Sequence, residues 1–328
     1  MTIGPPRFWN KPRATAPSKL LMPLTRITQA IGTLRRRVSR PLRVDVPVLC
    51  CGNLTMGGAG KTTLALDLGR RLLTQGHRPH FLTRGYGGRH RSALRVEPLL
   101  HTARDVGDEP LLLAAVAPTW VGRNRAETAR LAIAAGADCL ILDDGLQNGT
   151  LHQTMRIVTV DGETGFGNGQ LFPAGPLRER PADGLARADA IIMIGTDQTG
   201  LLATLPSGIP TLQAILIPGP EIRRLLGRRV VAFAGLARPA KFFTTLTDAG
   251  IQPIRCISFP DHHRYTHRDL ERLATLRRNS GVTLLTTAKD AVKLPPWFRD
   301  QVTVISVELL WADPEAPTRL LARLWSGT

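Results

Sequence analysis

The chain has 328 residues, with 43 Lys and Arg against 26 Asp and Glu, giving a formal net charge of +17. At 43% hydrophobic and 21% charged residues, with four cysteines, it is not a disordered chain, a coiled coil or a disulfide-framed miniprotein. The length suggests about two domains, and the basic excess predicts an anionic partner: nucleic acid, a membrane surface or a phosphorylated substrate.

The charge sits at one end. Residues 1–43 hold ten cations (Arg7, Lys11, Arg13, Lys19, Arg26, Arg35, Arg36, Arg37, Arg40 and Arg43), and the first acid is Asp45. In the same segment Leu20, Leu24, Ile27, Ile31, Leu34 and Val38 follow one another at alternating steps of four and three. That spacing predicts a helix with one apolar stripe, from which most of the arginines are offset. No apolar run approaches the roughly 18–20 residues of a bilayer span. Pro23, Arg26 and Gln29 interrupt the stretch, so it does not read as a signal peptide. Two readings fit: a helix packed on the protein's own body with a solvated basic face, or one lying in a membrane interface with its cations on anionic head groups.

From Val44 onward short apolar runs alternate with helical patterns. Val46–Cys51 reads as a strand, Lys61–Thr74 as a helix, His80–Thr83 as a strand, and Glu109–Ala117 and Arg123–Ala135 as helices. Strands follow at Cys139–Leu142, Arg156–Val160 and Ala190–Ile194. Near-continuous apolar strands alternating with helices predict a doubly wound, mostly parallel sheet covered on both faces. Pro206, Pro210, Pro218 and Pro220 mark a boundary. A second α/β series follows, with strands at Val230–Ala234, Ile254–Phe259, Val282–Thr286 and Val302–Val307 and helices at Pro239–Ala249 and His267–Asn279. The expected organisation is a basic amphipathic segment over 1–43, a phosphate-loop core over 44–220 and a smaller α/β domain over 221–328. Cys50, Cys51, Cys139 and Cys256 lack metal or disulfide spacing and read as small core residues.

The decisive segment is Thr55-Met56-Gly57-Gly58-Ala59-Gly60-Lys61-Thr62, between a strand and a helix. In that setting a Gly-rich loop wraps backbone N–H groups around phosphates, Lys61 reaches the β/γ-phosphates and the Thr62 hydroxyl ligates Mg²⁺. The first glycine of the usual pattern is replaced by Thr55, so Gly57 and Gly58 supply the flexibility. Asp143 and Asp144 end the next apolar strand, where they would meet the nucleotide and its metal. Guanine recognition usually needs Asn-Lys-x-Asp, and Ala288-Lys289-Asp290 has the wrong spacing, which favours ATP. Other dense polar motifs are Thr83-Arg84-Gly85-Tyr86-Gly87-Gly88, Gly107-Asp108-Glu109-Pro110, the loop from Gly167 to Glu179, and Phe259-Pro260-Asp261-His262-His263.

The order TMGGAGKT, TRGYGG, GDEP, DDGLQ, GNGQLFPAGPLRE, FAGLARPAKFF, FPDHHRY and AKDAVK resembles the tetraacyldisaccharide 4′-kinases, the lipid A kinases of Gram-negative bacteria. The resemblance implies transfer of the ATP γ-phosphate, with Mg²⁺, to the 4′-hydroxyl of a tetraacylated glucosamine disaccharide 1-phosphate. It implies a monotopic enzyme at the cytoplasmic face of the inner membrane. Carried over by position, Lys61 and Thr62 serve the phosphates and the metal, Asp108 resembles the base and His262 its partner across a cleft. Glu109, Asp143 and Asp144 resemble the acidic set for metal and substrate. Two positions depart from the family pattern: Asn148 stands where a His is usual, and Ala288 where a Glu is usual.

Given the resemblance, the N-terminal segment reads as a dock on an anionic membrane surface that reaches an acylated substrate, each surface cation adding about 1 kcal/mol. Few aromatics and charge confined to one amphipathic segment argue against a nucleic-acid partner. A monomer is expected.

Overall fold

The computed structural model describes residues 6–10, 15–90 and 92–325. Lys11 and Arg13 lie outside the described residues, as do the side chains of Arg7, Arg35, Arg36 and Arg37. The elements in chain order are α1 Ala16–Val38, β1 Val48–Gly52, α2 Lys61–Thr74, β2 Pro79–Thr83, β3 Leu94–Arg95, α3 Ala103–Val106, α4 Asp108–Ala114, β4 Thr119–Val121, α5 Arg125–Ala134 and β5 Cys139–Asp143. Next come β6 Met155–Asp161, α6 Pro181–Leu185, β7 Ala190–Ile194, β8 Thr211–Pro218, β9 Val230–Ala234, α7 Pro239–Asp248, β10 Arg255–Ser258 and α8 His267–Ser280. The last are β11 Thr283–Thr287, α9 Ala288–Ala291, α10 Pro296–Arg299, β12 Val302–Ile305, β13 Val307–Trp311 and α11 Ala316–Ala322.

Nine strands form one sheet in the order β13-β8-β7-β6-β1-β5-β2-β4-β3, parallel except for the antiparallel edge pairs β13–β8 and β3–β4. This is the expected doubly wound sheet. The central strands β1, β2, β5 and β7 are buried along their whole length, so they cannot show apolar–polar alternation. β1, which feeds the phosphate loop, lies between β5 and β6. The smaller sheet, β10-β9-β11-β12, is wholly parallel.

The chain departs from the sequence expectations in two ways. Thr211–Pro218, inside the proline-marked boundary, is a full strand pairing with β7 and β13. Its prolines stand before it or at its end, so no interior ladder donor is lost. The expected strand Val302–Val307 is two strands in different sheets. Glu221 Oε1 accepts the Ser306 N–H, and Ser306 O accepts the Gly219 N–H at 2.9 Å, which takes Ser306 out of the small ladder. The chain then returns to the large sheet: Trp311 is buried and donates from Nε1 to Asp67 Oδ2 of α2 at 3.1 Å. Leu320, Leu321 and Leu324 join the same core as α2, so residues 221–328 are not one contiguous unit.

α1 leaves the residues Leu20, Leu24, Ile27, Ile31, Leu34 and Val38 exposed, Leu20 by 81% and Val38 by 69%. The stripe therefore faces away from the body, contrary to a self-packed helix. The other side of α1 is held by Ser18 Oγ donating to Ala174 O at 2.7 Å and Thr28 Oγ1 to Phe172 O at 2.8 Å. No described helix is long and apolar enough to cross a membrane. Cys50, Cys51 and Cys139 are buried as expected, but Cys256 is exposed because β10 is an edge strand.

Leu321→Ala should cost about 2–5 kcal/mol of stability, the range for emptying a buried leucine site. The loss should appear in the unfolding transition of the phosphate-loop sheet, followed by a probe on that sheet in a denaturant titration. An unchanged transition there would contradict the return of the C-terminus.

Candidate active site

The phosphate loop is shaped by the backbone around it. Thr55 forms a bridge to Leu177, and Met56 N–H donates to Pro176 O at 2.7 Å. Thr55 has no left-handed backbone, which explains why the usual glycine is dispensable there. Gly60 does need to be glycine: its φ is +81°, and a Cβ would sit 2.7 Å from Ile194 Cδ1. α2 begins at Lys61 immediately after it, aiming its N-terminal N–H groups at the loop. Thr62 Oγ1 donates to Asp143 Oδ2 at 3.0 Å.

Asp143 and Asp144 are adjacent but differently placed. Asp143 is buried, and its Oδ1 has no hydrogen-bond partner. Burial, the Glu109 charge and Asp144 push its carboxyl up to about 7, against the pull of Lys61 and the Thr62 hydrogen bond. Asp144 turns out of the strand at φ +59°, a conformation that side chains rarely adopt. Arg178 grips it with two bonds of 2.9 and 3.1 Å, and Lys61 Nζ lies 3.9 Å away. Burial raises the Asp144 carboxyl, but Lys61 and Arg178 outweigh it and hold it below the ordinary value. Asp144 thus spends its charge on cations.

Among the described residues no group of three His, Cys, Asp or Glu is arranged to hold a metal. The orphan Oδ1 of Asp143 beside the Thr62 hydroxyl nevertheless fits Mg²⁺, a hard cation that binds few protein oxygens and completes its shell with phosphates and water.

The second half of the site crosses between the sheets. Asp108 opens α4 after Gly107, where a φ of +95° and a Cβ that would sit 2.5 Å from Tyr86 O exclude a side chain. His262 reaches Asp108 from the loop after β10, with Nδ1 at 3.0 and 2.9 Å from the two carboxylate oxygens. His262 also has a left-handed backbone, φ +54°, and its ring stands 5.4 Å from that of Tyr86. Burial raises the Asp108 carboxyl, but the His262 hydrogen bond and nearby cations bring it below the usual range. Burial lowers the imidazole, but the hydrogen bond to Asp108 raises it to a net value above the ordinary one. The contact thus favours the charged form of both partners.

The site residues fall into two groups, Lys61, Thr62, Asp143 and Asp144 on the large sheet's strand ends, and Asp108 with His262 across the gap. Glu109 joins them through Lys289, whose Nζ is 3.4 Å from Glu109 and 3.7 Å from Asp261. Lys289 was missed: it entered the sequence reading as a failed guanine motif, although AKDAVK was visible. Arg178 lay in a quoted motif without a role. Arg125 gave no signal at all, yet it is buried beside the acids, with burial lowering its guanidinium to about 10 despite the opposing pull of Asp143. Of the two departures, Asn148 closes a local turn through Thr150, and Ala288 begins α9 without disturbing Lys289.

A family model described as LpxK, tetraacyldisaccharide-1-P 4′-kinase, matches residues 17–325. The chain belongs to this kinase family. Its relatives include the tetraacyldisaccharide 4′-kinases of Gluconobacter oxydans, 59% identical over the whole of both chains, and Gluconacetobacter diazotrophicus, 53% identical over 96% of each. A solved structure of LpxK from Aquifex aeolicus in complex with ATP is 26% identical and superposes with a TM-score of 0.74, covering 94% of this chain and 99% of that one. The kinase uses ATP to phosphorylate the 4′ position of the disaccharide 1-phosphate in lipid A biosynthesis.

The raised Asp143 carboxyl makes a stability prediction for the kinase free of nucleotide and metal. The folded state then holds a proton that the unfolded chain, with its carboxyl near 3.8, has released. Ionising it in the fold becomes progressively unfavourable as pH rises from about 4 to about 7, and the penalty is constant above that. Asp143→Asn should therefore gain stability relative to wild type over that window and level off beyond it. Thermal unfolding at several pH values measures this; a pH-independent difference would refute the shift.

Proposed function

We propose that Asp108, held by His262, is the base that takes the proton from the 4′-hydroxyl of the tetraacylated glucosamine disaccharide 1-phosphate. The oxygen then attacks the γ-phosphorus of ATP. One bond forms from the sugar oxygen to phosphorus, and the bond from phosphorus to the β,γ-bridging oxygen breaks, leaving ADP. The observation that carries this reading is the Asp108–His262 contact at 2.9 Å, made between residues 154 apart, one on a helix of the large-sheet unit and one on a loop of the small-sheet unit.

A carboxylate held below its ordinary range is a weak base. That suffices, because phosphoryl transfer passes through a loose transition state in which positioning and charge stabilisation dominate. Lys61 and the loop N–H groups supply the charge at the phosphates. Arg178 neutralises Asp144 together with Lys61, and Lys289 offsets the charge of Glu109 and Asp261. Mg²⁺, held by Thr62 Oγ1 and Asp143 with Glu109 near, would neutralise charge between the β- and γ-phosphates.

The exposed stripe of α1 supports docking on an anionic membrane surface, as expected for a monotopic enzyme on the cytoplasmic face of the inner membrane. Lys19, Arg26, Arg40 and Arg43 add cations around it. The substrate's acyl chains can then remain in the bilayer while its sugar reaches the cleft. A monomer without a nucleic-acid partner remains part of this reading.

In a labelled-ATP transfer assay with the lipid acceptor in detergent micelles, Asp108→Ala should lower kcat about 10²–10⁴-fold while retaining ATP binding. Wild-type activity in that variant would remove Asp108 from the role of base. For the membrane reading, Leu24→Glu with Ile31→Glu should abolish flotation with anionic liposomes and leave ATP binding intact. Undiminished flotation would refute the dock.

A further inference from the structure

Two loops of the small sheet reach the large one. The loop after β10 carries Asp261 and His262. The loop after β9 carries Arg238 and, just inside α7, Lys241. They are neighbours, since Phe259 N–H donates to Ala234 O, and a Cβ on Gly235 would lie 3.1 Å from Pro260 O and 3.2 Å from His263 Cβ. The His262 loop has its part in the reaction above; the Arg238 loop has none so far.

Arg238 and Lys241 close on Asp161, the last residue of β6, whose side chain is 8% exposed. Its Oδ2 accepts from Arg238 Nη2 and from Lys241 Nζ, the latter at 2.7 Å. Its Oδ1 accepts the N–H groups of Glu163 at 3.0 Å and Thr164 at 3.2 Å, which fixes the turn leaving the strand. Glu163 Oε2 accepts from Arg238 Nη1 at 3.0 Å and lies 3.4 Å from Lys241. Two cations from one sheet unit thus meet two carboxylates from the other. Burial raises the Asp161 carboxyl, but the two cations hold it below its usual range.

The placement of this cluster matters. β1 lies between β6 on one side and β5 on the other. Asp161 is paired in register with Ile194 of β7, and Ile194 is the side chain against Gly60 of the phosphate loop. The ion cluster therefore borders the loop on the β6 flank, while Asp108, on a helix packed against β2 and β4, lies on the other. Buried ion pairs add little net stability, because desolvation offsets their attraction. What they fix is relative position, and a misplacement of about 1 Å in a reacting group can lower a rate about 10²-fold.

We propose that Asp161 is a positioning residue for phosphoryl transfer: by holding Arg238 and Lys241 it fixes the small-sheet unit against the phosphate-loop sheet and so keeps His262 at bonding distance from Asp108. The proposal rests on the assignment of the Asp108–His262 pair.

Asp161→Asn keeps the oxygen that organises the turn and removes the charge both cations need. Wild type, Asp161→Asn, His262→Ala and the double variant are compared in the ATP-to-lipid transfer assay. The expected result is a fall in kcat of about tenfold or more in Asp161→Asn, with KM for ATP within about twofold, and a double variant no slower than His262→Ala alone. A raised KM for ATP with unchanged kcat would overturn the proposal, as the cluster would then serve the nucleotide. Multiplying losses in the double variant would overturn it too, leaving the His262 assignment standing. Wild-type activity in His262→Ala would remove that assignment and this proposal with it. Should Asp161→Asn not fold, Lys241→Ala takes its place under the same criteria, and Lys241→Arg must restore the rate; a Lys241→Arg as slow as Lys241→Ala overturns the proposal.

Discussion

Three acids, Glu109, Asp143 and Asp144, stand together beside the phosphate loop, and in the function proposed above a nucleotide triphosphate is set down among them, so the compensation of their charge governs the architecture around them. Each acid except Asp143 is assigned a cation in the fold: Arg178 and Lys61 for Asp144, Lys289 for Glu109. Asp143 is left with the Thr62 hydroxyl on one oxygen and nothing on the other, and its carboxyl is raised to about 7. In the function proposed above, its compensating charge arrives with the ligand. The buried guanidinium of Arg125, with its Nε also unpaired, is the matching excess of positive charge close by.

The same demand explains why the chain needs two sheets. A parallel sheet presents its ligand site along the carboxyl ends of its strands, which here holds the phosphate loop and both aspartates. Asp108 belongs to the large-sheet unit, and the small sheet brings its own strand ends to face the first, which sets His262 against that carboxylate. Lys289, Asp261 and His262 all stand at that edge, after β11 and β10. Asp290, next to Lys289, is fully buried and binds Gly235 N–H, Tyr265 Oη and Thr287 Oγ1, so the loops of this edge are tied to one another. Lys293 lies 2.7 Å from it. The return of β13 and α11 to the large sheet closes the small unit at both of its chain ends.

Local signals in the sequence sufficed for the large sheet and the phosphate loop, because both depend on short-range chemistry. Uninterrupted apolar strands and a glycine-rich turn before Lys61-Thr62 can be read without knowing what packs on them. Val302–Val307 could not be divided from its own residues, because the break at Ser306 is made by Glu221, 85 positions away. Thr211–Pro218 was obscured for the opposite reason: the prolines bounding it gave a boundary signal stronger than the strand between them. At the site, Lys61, Thr62, Asp143 and Asp144 were legible by motif. Asp108 and His262 were locally ambiguous, an acid at a helix start and half of a histidine pair, and gained meaning through family resemblance. Lys289 and Arg178 act through partners 180 and 34 positions away, which no local pattern reports.

The path from α1 to the phosphate loop joins the remaining parts. α1 is fastened through Ser18 and Thr28 to Ala174 and Phe172, and Asn168 bonds both Ser18 and Ala174. Two residues further on, Pro176 and Leu177 hold Met56 and Thr55, and Arg178 grips Asp144. One irregular loop thus has an exposed amphipathic helix on one side and the nucleotide site on the other. Phe172, 42% exposed, and Met56 of the phosphate loop, 41% exposed, are further exposed apolar side chains on this path. In the docking proposed above, where the stripe rests in a bilayer interface, this loop sets the height of the phosphate loop above the lipid. The spacing between acyl chains and reacting hydroxyl in the substrate then has a counterpart in the protein, and the loop's hydrogen bonds are what maintain it.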